Sequence, residues 1–318
     1  MPPGYAPPPG APGYPPPAGP GYAPMYAAPP PKRATAITML RDAFDTFMKD
    51  PFIYLGIYFV YALITGIITL VITLLAFNAP LAAIGLTGFT FNTGILALFI
   101  AVTIGVAIID AIVGAVVAGM TTYFAVQRYR GSPATWNQAL SEGMKRFLSI
   151  LVAQILVSVA AVGLVLIPLL VVIAGAFLGD LALVGIGFVL FIILGILAVY
   201  LLVGWSLFAP AIMVEGQGAF GSLSRSWQLT RGHRLSIFAA GLVVLIVGAI
   251  VGGILGGIFG LAGPIGAAIG SILATTVTGS WIFIMTSVAH QLIVSEPRYG
   301  VYPAPAAAPP TPPAPPRA

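Results

Sequence analysis

From residue 51 to residue 292 the chain alternates long apolar runs with shorter polar ones. Six apolar runs stand out, near 51–77, 103–127, 147–175, 182–208, 235–261 and 265–292. Each reaches the roughly 20 residues that an α-helix needs to cross the hydrocarbon of a bilayer. The runs are continuously apolar rather than alternating, which argues against the strands of a membrane barrel. The pattern predicts an all-α integral membrane protein with six transmembrane helices. The stretch 78–102 stays open, because Pro80, Gly85, Gly88 and Gly94 precede an apolar run from Ile95. It reads as a loop, a helical extension of the second span or a re-entrant piece.

The polar runs have their own order. Before the first, third and fifth spans lies a segment with helical amphipathic spacing. The first places Ile37, Leu40, Phe44, Phe47 and Met48 on one face and Arg41, Asp45 and Lys49 on the other. The second begins at Ser132-Pro133 and groups Trp136, Leu140, Met144 and Phe147 opposite Asn137, Ser141 and Lys145. The third groups Phe220, Leu223 and Trp227 opposite Arg225, Gln228 and Arg231. Residues 43–49 also align with 139–145, ending on Met48-Lys49 and Met144-Lys145. The six spans therefore read as three helical hairpins, each preceded by an interfacial amphipathic helix that lies on one leaflet and bends into a span. Pro51 marks the first bend and Gly232 another.

Composition agrees: 59% of the 318 residues are hydrophobic and 7% charged, against about a quarter charged in soluble domains. The net charge of +5 would suggest nucleic acid in a soluble protein, but the placement of the cations gives them another role. Lys32, Arg33, Arg41, Lys49, Arg128, Arg130, Lys145, Arg146, Arg225, Arg231, Arg234, Arg298 and Arg317 all lie before the first span, between the second and third, between the fourth and fifth, or after the sixth. The opposite loops carry none. Cytosolic loops accumulate Lys and Arg, so both termini are expected in the cytosol. Residues 1–33 form a Pro/Gly/Tyr-rich tail and 301–318 a Pro/Ala-rich one, flanking a membrane domain over 34–300. Both tails read as disordered, either as spacers or as ligands for proline-recognising proteins. The first 31 residues hold no apolar signal-peptide core, so the first span is expected to direct insertion. With no cysteine in the chain, disulfides and cysteine-bound metals are excluded.

One stretch is distinctive. Glu215, then Ser226-Trp227-Gln228-Leu229-Thr230-Arg231-Gly232, resembles a family of six-span bacterial membrane proteins. It is similar to the membrane domain attached to some glycerophosphoryl diester phosphodiesterases and to stand-alone relatives of unknown function. The signature residues carried over are Glu215, Ser226, Trp227 and Arg231. The resemblance implies a membrane module of the bacterial plasma membrane, without the soluble phosphodiesterase barrel.

Candidate chemistry is sparse. No carboxylate pair sits at helical spacing in a span, and the sequence lacks HExxH, a P-loop and a nucleophile elbow. Neither an enzyme nor a cofactor is expected. Asp110 lies 17 residues before Gln127, roughly 25 Å along a helix, and reads as an interfacial carboxylate. His290 shares a polar stripe with Thr276, Ser280, Ser287 and Gln291, which reads as a polar cavity or as a histidine bonded to a neighbouring helix. Glu215 reads as an ion-pair partner tying its linker to the third amphipathic helix. Arg225, Arg231 and Arg234 read as a phosphate clamp, and Lys49, Lys145 and Arg146 as further headgroup contacts. Gly248, Gly252, Gly256 and Gly260 recur at intervals of four, a face for close packing, expected against Gly266 and Gly270 of the sixth span; homo-oligomerisation is the alternative. The function expected is a non-enzymatic module that contacts inner-leaflet lipids or scaffolds partner proteins. The alternatives are a transporter or channel for a small solute or lipid, and a lipid-modifying membrane enzyme.

Overall fold

The computed structural model describes residues 33–84 and 93–296. The Pro-rich tails and the centre of the 78–102 stretch lie outside the described residues. Nine helices are described: α1 (Ala36–Lys49), α2 (Pro51–Ile84), α3 (Thr93–Tyr129), α4 (Trp136–Leu178), α5 (Leu181–Trp205), α6 (Phe208–Glu215), α7 (Ala219–Thr230), α8 (Arg234–Gly260) and α9 (Gly263–Val294). Six segments, within α2, α3, α4, α5–α6, α8 and α9, are long and apolar enough to cross a membrane, and no strand occurs among the described residues. The chain is an all-α, multi-pass membrane protein. Of the open stretch 78–102, residues 78–84 extend α2 and residues 93–102 begin α3.

Local chemistry sets the ends. Thr35 starts α1 with a capping box closed by Thr38, and Thr135 starts α4 with one closed by Gln138. Each box satisfies backbone N–H groups that a helix start leaves bare. Asp50 ends α1 and Pro51 opens α2, as the sequence predicts, since proline suits a first helical turn. Two residues suffice to turn α4 into α5. Gly179 takes a left-handed conformation (φ 68°) and the Asp180 carboxylate accepts from Ala182 N (2.9 Å) and Leu183 N (3.2 Å).

The second amphipathic segment departs from expectation. It starts at Trp136, three residues past Pro133, and runs without a break into the span as one 43-residue helix. Nothing between Trp136 and Phe147 ends the helix, so the segment forms the first turns of α4. The first and third segments are separate helices, α1 and α7.

Helix α4 packs along α5, and α8 along α9. Helix α2 touches α9 more extensively than α3 among the described residues. The well-buried core lies at the end of the bundle that carries the basic residues. Met39, Tyr54, Phe124, Leu207, Leu229, Met285 and Leu292 are all sealed there. Toward the other end, Phe177, Leu178 and Leu181 are more than 75% exposed, and Ile246, Ile250, Ile254 and Ile258 face outward along α8. Such a large outward apolar surface is stable only in hydrocarbon.

All three amphipathic segments turn the same kind of face inward. Ala43, Ala139 and Ser222 with Ser226 are buried. Large apolar side chains other than Met39 and Leu229 stay outside: Met48 (54% exposed) matches Met144 (53%), and Phe44 (51%) matches Leu140 (38%). Phe47, half-buried, instead packs on Tyr54 and Trp281.

Candidate functional site

The fourth span is broken just after Trp205. A helix break strands backbone groups, and in a membrane protein these need partners. Here α7 supplies them. The Ser226 hydroxyl donates to the Gly204 carbonyl (2.9 Å) and accepts from Leu207 N (3.0 Å). The Thr230 hydroxyl also donates to the Gly204 carbonyl (3.2 Å). Ser226, Thr230 and Leu207 are fully buried. The Trp227 ring lies directly over Gly204, so close that a Cβ on that glycine would collide with it. Trp227 also meets Tyr200 edge-on, at 5.5 Å between ring centres, and its own ring carries the Arg234 guanidinium at 3.9 Å.

The break releases α6, which ends at Glu215 beside a left-handed Gly216 (φ 70°). One Glu215 oxygen accepts from Arg225 Nε of α7 (2.7 Å), and the other meets His290 Nε2 of α9 (3.0 Å). The His290 Nδ1 meets the Gln291 amide (3.2 Å), whose oxygen accepts from Arg130 Nε at the end of α3 (3.0 Å). Four elements, α3, α6, α7 and α9, are tied by this one chain of polar contacts. His290 is fully buried.

Two more ties close the same end. Glu296, just past α9, accepts from Ala34 N (3.2 Å) and lies 3.3 Å from His233 Nε2 at the start of α8. Asp50 pairs with Arg128 Nε (2.5 Å), and Lys49 Nζ donates to the Arg128 carbonyl (2.8 Å).

The residues singled out in the sequence divide accordingly. Glu215 and His290, 75 positions apart, are direct partners. Both the ion-pair reading of Glu215 and the bonded reading of His290 hold. Thr276 and Ser287 donate to carbonyls of their own helix, Ile272 and Phe283, Ser280 is buried, and Gln291 bonds His290 and Arg130. The three arginines do not form a clamp. Arg225 is turned to Glu215, Arg234 is stacked on Trp227 and bonded to Tyr200, and Arg231 caps α7. The Glu215 carboxylate holds Arg225, and the Trp227 and Tyr200 rings hold Arg234, away from a shared site. Lys145 pairs with Glu142 (2.5 Å) and stays exposed, as does Arg146, whose guanidinium lies against Gly216.

Among the glycines, Gly248 meets Thr278 and Gly252 meets Ala274 at ordinary contact distance, and the Cα of Gly256 lies 3.3 Å from where a Gly270 Cβ would sit. Gly260 has open space. The tight positions are Gly266 and Gly270 of α9, pressed on the Phe259 and Leu255 carbonyls. Asp110 accepts from the Tyr61 hydroxyl (2.6 Å), a pairing that the sequence reading missed. Among the described residues no three His, Asp or Glu side chains converge as metal ligands would.

The fold and this polar end define a multi-pass helical membrane protein with a braced, broken span. The chain belongs to a family described as a domain of unknown function, DUF7847, which matches residues 39–296. No curated protein and no solved structure matches it.

Proposed function

We propose that this protein is a non-enzymatic module of a bacterial plasma membrane, related to the membrane domain of glycerophosphoryl diester phosphodiesterases, whose basic end engages the inner leaflet. Both termini then lie in the cytosol, where the basic residues accumulate. One observation carries the proposal. Each of the three amphipathic segments keeps large apolar side chains exposed on the same segment as exposed cations, although Met39 and Leu229 turn into the core. Exposed Ile37, Phe44 and Met48 share α1 with exposed Arg41 and Lys49, and exposed Trp136, Leu140 and Met144 share the start of α4 with exposed Lys145 and Arg146; Phe220 is exposed at the start of α7 and Arg231 at its end. Water would penalise such faces at roughly 25 cal/mol per Å². The boundary between headgroups and acyl chains accepts both the apolar tips and the charges. Lys49, Lys145, Arg146 and Arg231 are the headgroup contacts in this arrangement, while Arg225 and Arg234 hold the fold.

The absence of cysteine makes the test direct. Phe44→Cys, Met144→Cys and Phe220→Cys variants are each spin-labelled and reconstituted. Accessibility to oxygen and to a water-soluble nickel complex then reports depth. All three labels are expected at headgroup depth in one leaflet, more protected from nickel in anionic than in neutral vesicles. Free aqueous collision at any of the three positions would refute the arrangement.

A further inference from the structure

Glu296 joins the place where the chain enters the helical bundle to the place where it leaves. Its Oε1 accepts from Ala34 N (3.2 Å), and its Oε2 lies 3.3 Å from His233 Nε2. Ala34, His233 and Glu296 are all buried. Burying a carboxylate is unfavourable unless bonds meet it, and here they come from the entry to α1 and the start of α8. The backbone on either side is fixed as well. Thr35 N donates to Arg33 O (2.9 Å), and Glu296 N donates to Ile293 O (3.1 Å). The two Pro-rich tails are therefore rooted one hydrogen bond apart, at the basic end.

The tails have one spacing in common. Pro9, Pro12 and Pro15 in the first, and Pro309, Pro312 and Pro315 in the second, recur at intervals of three. Polyproline II has three residues per turn, so in that form each set would line one edge. Such an edge is the ligand of aromatic-lined grooves that take Pro-x-x-Pro chains. Pro15 is 19 residues from Ala34, and Pro309 is 13 from Glu296. At the rise of polyproline II these separations span about 60 Å and about 40 Å. From a common root, the two sets stay within about 100 Å of one another. One ligand in a sphere of that radius has an effective concentration on the order of 0.1–1 mM. At such concentrations, joining two modest contacts tightens binding by about 100-fold to 10,000-fold.

We propose that the two tails act as one bivalent ligand for a soluble partner with two copies of a Pro-x-x-Pro groove, each tail filling one groove. Both tails offer the same spacing, so one kind of groove serves both. A two-fold homodimer, whose grooves are identical by symmetry, is the partner that fits. The headgroup contacts above play no part in this reading, and it fails or survives independently of them.

The test uses the full-length protein, one copy per lipid nanodisc. It is titrated with an SH3 domain that binds Pro-x-x-Pro peptides, first as a single domain and then as two copies joined by a Gly/Ser linker of about 30 residues. The tandem is expected to bind at least about 100-fold more tightly than the single domain. Pro12→Ala with Pro15→Ala, and separately Pro312→Ala with Pro315→Ala, should each return the tandem to the single-domain value. Both pairs lie in the tails, outside the packed helices. Spin labels at Lys32→Cys and Arg298→Cys, in a chain that has no other cysteine, report the common root. Each lies two residues from it, so a separation under about 30 Å is expected. A smaller gain for the tandem, a gain that survives loss of either proline set, no binding by either probe, or a larger label separation would each overturn the proposal.

Discussion

Ser226→Ala isolates the brace on the broken span. The hydroxyl is the donor to Gly204 O at 2.9 Å and the acceptor for Leu207 N at 3.0 Å. Without it Gly204 O keeps Thr230 as a donor, whereas the Leu207 N–H, on a fully buried residue, loses its partner. An orphaned buried N–H costs about 1–3 kcal/mol, so about 2 kcal/mol is expected overall. At about 2–4 °C per kcal/mol for a large domain, the midpoint of unfolding should fall by about 4–8 °C. Ser222→Ala is the matched control. Ser222 is equally buried on the same helix, but its hydroxyl donates to Ala219 O in its own turn (2.7 Å). Such back-bonded serines contribute little, and a change within about 0.5 kcal/mol is expected. The assay is thermal unfolding in detergent, followed by tryptophan fluorescence, since Trp227 sits on the break. If Ser226→Ala melts where Ser222→Ala does, α7 is not what holds the two half-helices together.

Two further outcomes follow from the same end and the opposite one. In a double-mutant cycle of Glu215→Gln with Arg225→Met, thermal unfolding should give a coupling of about 1–3 kcal/mol; additive effects would remove the ion pair from the account of the site. Gly266→Ala should destabilise by about 1–3 kcal/mol, because the added carbon meets the Phe259 carbonyl and Ala262. Gly260→Ala, with open space around it, should be neutral or stabilising by up to about 1 kcal/mol, the helix-propensity gain. The reverse order of melting temperatures would refute the glycine assignment.

The spans were legible because an apolar run of helix length has one economical fate in a bilayer, and Pro51 and Gly232 carried their breaks openly. The position of the second amphipathic segment was less so: Ser132-Pro133 has the form of a helix start, but the Thr135–Gln138 box competes for it three residues on. Large apolar residues at helical spacing disclosed the outer faces of α1 and α7. The inner faces, built on Ala43, Ala139 and Ser226, gave no signal, since small residues are unremarkable until a neighbour is seen against them. The break after Trp205 was hidden for the same reason: Gly204 matters through a tryptophan 23 positions away. For Arg225 the sequence offers both lipid phosphate and Glu215, ten residues earlier, and spacing alone does not choose between them. The Glu215–His290 contact was not legible because no periodicity links residues 75 apart.

The burial is lopsided. Caps, ion pairs and the sealed core crowd one end, while the far halves of α4, α5 and α8 are held chiefly by their nearest neighbours and by two-residue turns such as Gly179-Asp180. Mechanically this is a clamped base with compliant prongs. Tilting such prongs to match a thinner or thicker bilayer costs fractions of a kcal/mol per Å of mismatch, and the clamped base need not deform to permit it. Strain from lipid thickness would then arrive at one place, the junction where each prong enters the base. For the fourth span that junction is the Gly204–Leu207 break under Trp227.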